Sequence, residues 1–156
     1  METNVATDRD YELLVLLRQT CDAMIRARGN DLKQIGISGR QAAVLFIVKT
    51  VTVAATPAEV SRWLFREPHT VSELLNRMEK LGLVRKIKNL GRKNMIRIVI
   101  TEKGEQAYQR SREMKAIRKI LSCVSPKERD NLRTYLKRLR DKALGEIGVG
   151  YQLPFP

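Results

Sequence analysis

The hydrophobic period changes partway through residues 68–100, and that change restricts the fold more than any other feature. Between Pro68 and Leu81, Val71, Leu74, Leu75 and Met78 fall at i, i+3, i+4 and i+7, the spacing of one helix face. Gly82 then supplies a C′ stop. Beyond it the period drops to two. Leu83–Lys88 and Met95–Ile100 read as strands, with Ile96, Ile98 and Ile100 on one face. Asn89-Leu-Gly-Arg-Lys-Asn94 joins them as a turn-rich tip with two adjacent cations. Just upstream, Thr56-Pro57-Ala-Glu59 opens a helix of about residues 57–65, with a capping hydroxyl, Pro at N1 and an acid at N3. Arg66-Glu67 forms the turn between the two helices. This order predicts a winged helix-turn-helix, mainly α with a small β-hairpin wing.

Other caps place four more helices. Ser38-Gly-Arg-Gln41 and Ser125-Pro126-Lys-Glu128 are capping boxes, Thr7-Asp-Arg-Asp10 is a weaker one, and Thr101-Glu102 is a plain cap. The helices run over about 8–28, 39–50, 102–121 and 126–147, followed by a Gly/Pro-rich tail at 148–156. The second is apolar nearly all round and should be buried. The outer helices carry apolar stripes that a small winged helix could not cover. They include Leu13, Leu16, Leu17, Met24 and Ile25 in the first, Tyr108, Met114, Ile117 and Leu121 in the fifth, and Leu132, Tyr135, Leu136, Leu139 and Ala143 in the sixth. Packing against a second copy is favoured over an intramolecular bundle. The whole 156 residues read as one domain, with 56–101 as the winged helix and 8–55 and 102–147 as core and dimerisation helices.

Charge sharpens the functional reading. The net charge is +13, from 30 Lys+Arg against 17 Asp+Glu. Residues 1–55 are nearly neutral at +1, whereas 56–101 and 102–156 each carry +6. So dense a positive segment on a helix-turn-helix and hairpin points to double-stranded DNA rather than to a membrane surface. The longest apolar run, Ala42 to Val48, is far short of the roughly 20 residues of a membrane span, and METNVATDRD has no signal-peptide core, so a cytoplasmic protein is expected. One histidine, and two cysteines 102 positions apart, argue against a structural metal centre. No nucleophile–base pair, phosphate loop or carboxylate cluster suggests an enzyme, and no cofactor is expected.

With its apolar face inward, the helix at 68–81 turns His69, Thr70, Ser72, Glu73, Asn76, Arg77 and Lys80 outward. Short hydrogen-bonding groups and cations suit base edges and phosphates. Asn76 is a candidate for adenine, Arg77 for guanine and Glu73 for the cytosine amino group. On the hairpin, Lys88, Arg92 and Lys93, with Lys86 and Arg97 beside them, suit the backbone or the neighbouring minor groove. The plainer readings are a solvated helix face and, for His69, an exposed helix start.

Residues Thr56 to Gly104 resemble the DNA-binding core of the MarR family of transcriptional regulators. The resemblance is carried by Thr70-Val71-Ser72, Leu74, Arg77, Glu79-Lys80-Leu81-Gly82-Leu83-Val84 and Ile100-Thr101-Glu102-Lys103-Gly104, and the flanking helices extend it over about 8–147. It implies a homodimer joined through the terminal helices, each subunit presenting a winged helix to a palindromic operator. It also implies repression, or occasionally activation, relieved by a small molecule or an oxidant. Three departures stand out. The family's Asp-Arg-Arg in the wing is Arg92-Lys93-Asn94 here, so the acid that braces the wing is absent. A usual basic residue early in the reading helix is Glu73, so base preference should differ. Lys86 stands where Arg is common.

Two signals are open. The family default is a ligand in the crevice between dimer region and winged helix, for which Trp63, Phe46 and Met24 are candidates, although the plainer and favoured reading of each is core. The hydroperoxide-sensing branch instead suggests Cys21 and Cys123 as redox residues, although an aliphatic-flanked cysteine is more often inert core. Rival functions are a non-specific architectural DNA binder and a winged helix turned to protein contact.

Overall fold

The computed structural model describes residues 8–51, 55–88, 91, 95–151 and 153. Their elements follow in chain order as α1 (Arg9–Lys33), α2 (Gly39–Thr50), α3 (Pro57–Leu64), α4 (Pro68–Lys80), β1 (Val84–Lys88), β2 (Ile96–Ile100), α5 (Glu102–Ser111), α6 (Lys115–Leu121) and α7 (Pro126–Glu146). Local chemistry starts most of them. Ser38 accepts from the Gln41 amide at 3.2 Å while the Gln41 side chain accepts from the Ser38 amide at 2.8 Å. The same reciprocal pair, at 3.2 and 2.7 Å, joins Ser125 and Glu128. Those bonds from Ser125 hold the Glu128 carboxyl below its ordinary range. Thr56 and Thr101 each cap with a hydroxyl, accepting from the amides of Glu59 and Gly104.

The core lies between α2, α3, α4 and the hairpin. Val44, Leu45 and Ile47 of α2, Val60 of α3, Val71, Leu75 and Met78 of α4, then Leu83, Val84 and Ile98, are buried together. The strands pair antiparallel from Val84↔Ile100 to Lys88↔Ile96. The Ile98 amide donates to the Ala55 carbonyl at 2.7 Å, so residue 55 borders β2 along its other edge.

Three expectations change. The first helix runs five residues beyond Arg28, because Leu32 is drawn into the core and the chain turns away only at Gly36. There the Ile37 amide bonds back to the Leu32 carbonyl and Gly36 takes a φ of 76°, an arrangement that favours glycine. Its N-cap is Asp8, whose carboxylate accepts from the Asp10 amide; Thr7, favoured for that role, lies outside the described residues. The helix expected over 102–121 is two helices. It breaks at residues 112–114, where Met114 adopts a left-handed φ of 47°. Nothing local marks the break, since the helical spacing continues through Met114, Ile117 and Leu121. The reason is distant: the Asp31 carboxylate of α1 accepts from the Ala116 amide at 2.8 Å and caps α6 across 85 residues of chain. The described residues therefore form seven helices rather than six. Phe46 and Trp63 take the plainer of their two readings: they meet edge to face at 6.4 Å, half-buried against the core.

The wing is fastened where β2 turns into α5. The Thr101 hydroxyl donates to the Gly82 carbonyl at 2.5 Å, and the Thr101 amide donates to the Leu83 carbonyl at 3.1 Å. Gly104 packs so tightly here that an added Cβ would stand 2.0 Å from the Leu83 carbonyl oxygen and 2.8 Å from Ile100 Cγ1. Backbone cannot yield as a side-chain tip does. Gly104→Ala should therefore lower unfolding stability by about 1–3 kcal/mol, read as a lower urea midpoint, although alanine is the better helix former.

Candidate nucleic-acid interface

The turn between α3 and α4 is made without glycine. Phe65 adopts a left-handed φ of 50°, while the Arg66 amide bonds to the Ser61 carbonyl at 3.1 Å and the Phe65 amide to the Arg62 carbonyl at 3.2 Å. These bonds close the end of α3 in the manner of a Schellman motif and turn the chain into α4. Pro68 opens α4 at N1; Glu67 stands at the N-cap without a side-chain hydrogen bond.

Along α4, Val71, Leu74, Leu75 and Met78 are buried, as the spacing predicts. His69, Ser72, Glu73, Asn76, Arg77 and Lys80 are exposed and Thr70 is half-buried. One amphipathic helix thus presents a continuous polar face of the kind that reads a major groove. Two of its members are paired with each other: His69 Nε2 lies 3.4 Å from Glu73 Oε1, one turn on.

The wing supplies the second cationic element. Arg85, Lys88 and Arg97 are exposed on the strands. Arg92 and Lys93 lie outside the described residues. Lys86 behaves differently. It is directly opposite the buried Ile98, so it faces α4 rather than solvent. Its backbone amide donates to Glu79 Oε1 at 2.9 Å, its ammonium lies 3.9 Å from Glu79 Oε2, and the same ammonium donates to the Asn76 side-chain oxygen. A carboxylate from the helix and a lysine from the strand therefore join α4 to β1. Sequence reasoning assigns Glu79 no role and makes Lys86 one more flanking cation. The strand register is the available signal, since period two places Lys86 on the inward face with Val84.

Between α1, α2, α4 and α6 opens a cleft of about 1140 Å³. Met24, Ile25, Leu64 and Ile117 give it apolar walls, and Arg28, Arg40, Arg66, Arg77 and Lys80 line its rim and sides. Of the three crevice candidates, Met24 alone lines it. Burial pushes the Arg28 guanidinium below its ordinary pKa, with Asp31 partly restoring it. Arg77 and Lys80 belong both to this cleft and to the polar face of α4. Cys21 and Cys123 are free thiols and both are exposed, not core residues. Among the described residues no group of His, Cys, Asp and Glu could hold a metal ion, and no helix is long and apolar enough to cross a membrane.

A family model for a winged helix DNA-binding domain matches residues 37–104. No curated protein matches the chain by sequence. Among solved structures, the organohalide-sensing transcriptional regulator RdhR in its 2,4-dichlorophenol-bound form is 26% identical, with a TM-score of 0.87 over 100% of this chain and 95% of its own. A MarR mutant from E. coli complexed with operator DNA is 18% identical, with a TM-score of 0.77 over 85% of this chain and 99% of that one. The S. aureus MepR–DNA complex is 20% identical, with a TM-score of 0.74 over 82% and 96%. Residues 37–104 thus match a winged helix DNA-binding domain, and the chain as a whole has a MarR-like fold.

If Arg77 and Lys80 meet phosphate, each alanine substitution should weaken duplex binding irrespective of sequence. Each should also flatten the plot of log affinity against log salt by about 0.9 for every phosphate no longer neutralised. Fluorescence anisotropy over a salt series measures both.

Proposed function

We propose that the chain is a homodimeric, sequence-specific transcriptional regulator, a repressor released from a palindromic operator by a small organic anion. The observation that carries this reading is the polar face of α4, held outward by a fully buried opposite face and flanked by the cations of the wing. A helix so placed has both parts of a DNA reader: base-edge groups and phosphate-neutralising charge.

Exposed apolar side chains on the terminal helices support the dimer. On α7, Leu132, Tyr135, Leu136 and Leu139 are 43–57% exposed, and on α1, Tyr11, Leu13, Leu14, Leu16 and Ile25 are 50–63% exposed. Helix α7 packs broadly on no other element and has Leu144 as its one buried residue among those described. A 21-residue helix with an uncovered apolar stripe is not held by its own propensity in water. A second copy covers both stripes and sets two α4 helices about 10 base pairs apart. Leu136→Glu should convert a dimer to a monomer in analytical ultracentrifugation and weaken binding to a two-half-site duplex at least tenfold.

The effector class follows from the cleft, whose apolar walls and five cations suit an aromatic or aliphatic anion. The relative solved with 2,4-dichlorophenol is consistent with such a ligand. Because Arg77 and Lys80 serve both surfaces, an anion in the cleft competes with DNA for them. In a panel of phenols and benzoates, the compound that most raises the thermal midpoint should also release the duplex. A peroxide response lost in Cys21→Ser would transfer the signal to the thiols.

The function itself is tested by mapping binding sites and competing the bound duplex with random DNA at about 0.15 M salt. A regulator stays on its site, whereas an architectural protein is displaced.

A further inference from the structure

We propose that Lys86 fixes Asn76 as a hydrogen-bond donor and thereby directs it to guanine rather than adenine; this rests on the DNA-reading function proposed above. An ammonium can only donate, so the atom of Asn76 that faces it must be the carboxamide oxygen. The Asn76 NH2 is then the end turned away from Lys86.

Asparagine reads adenine by using both ends of its amide, accepting from the base amino group and donating to N7. Here the accepting end is engaged. Its second lone pair sits beside a positive charge, which repels the partly positive hydrogens of an adenine amino group. Guanine asks for no acceptor in the major groove, because its N7 and O6 both accept. The arrangement is built rather than incidental. Lys86 faces inward by strand register, its side chain is 22% exposed, and Glu79 holds it through both the backbone amide and the ammonium. Glu79 in turn loses much of its repulsion toward phosphate by facing that lysine. Lys86 is thus a positioning residue, and Asn76 is the group that touches the base.

Selection of full-length protein on a random duplex library tests this, using wild type, Asn76→Ala and Lys86→Met. In the wild-type site, one base pair per half-site should carry a guanine whose enrichment disappears in Asn76→Ala. In Lys86→Met the freed amide should shift that pair toward adenine, changing the guanine-to-adenine ratio by about fivefold or more. Adenine at the Asn76-dependent pair in the wild type overturns the assignment, and so does an unchanged preference in Lys86→Met. The wild-type comparison with Asn76→Ala still tests the guanine assignment if Lys86→Met does not fold, because Asn76 is exposed on α4, and Lys86→Gln, whose amide can also donate to Asn76, should then keep guanine. If the wild-type protein enriches no sequence at all, the regulator reading itself fails and takes this assignment with it.

Discussion

The seat of Thr101–Gly104 on Gly82–Leu83 is the constraint on which the reading head depends. Four demands meet in this small volume. Helix α4 must stop, so Gly82 takes a φ of 72°. Strand β1 must start, and the Leu83 amide bonds back to the Met78 carbonyl as it does so. Strand β2 must end, and α5 must begin with a cap. Thr101 meets the last two demands and also binds the first turn of the wing through its hydroxyl and amide. Lys103 adds a bond from its ammonium to the Leu81 carbonyl. The angle between α4 and the wing is therefore set by backbone contacts at the turn, to which the side chains of Thr101, Lys103 and Glu79 add. A binding surface needs such rigidity if its two halves are to meet the same duplex.

Much of this is legible in the sequence, and the legible parts share a cause. Capping boxes at Ser38 and Ser125, the Thr56-Pro57 start, the apolar face of α4 and the alternation of β2 are all encoded within a few residues of where they act. The helix boundaries that differ from expectation are set from far away. Leu32 lengthens α1 because the core reaches it, and Asp31 starts α6 because the fold brings it to Ala116. For the site, exposure along α4 follows from period alone. What period does not show is the partner of each exposed group: His69 with Glu73, and Asn76 with Lys86. The true place of Trp63 and Phe46 is hidden for a related reason, since an aromatic side chain has the same pattern whether it lines a cavity or faces another ring.

Stability and recognition are divided along the chain. The core of α2, α3, α4 and the hairpin is closed, with Val44, Leu45, Val60, Leu75, Met78 and Val84 removed from water and Leu32 of α1 packed among them. The terminal helices are less complete, for α1 and α7 keep large apolar side chains exposed. The cleft lies at the boundary between these regions, walled by α1 and α6 on one side and by α2 and α4 on the other. A molecule bound there touches both the winged helix and the terminal helices.

The carboxylate of Asp31 also orders events in time. It belongs to the first helix, yet the amide it caps is 85 residues downstream. During synthesis the reading head, whose contacts are mostly closer in sequence, can close before Ala116 has left the ribosome. Asp31 must then wait for the amide it caps, which is made long after it. The chain can thus complete the winged helix before α6 docks on α1, a contact of longer sequence separation.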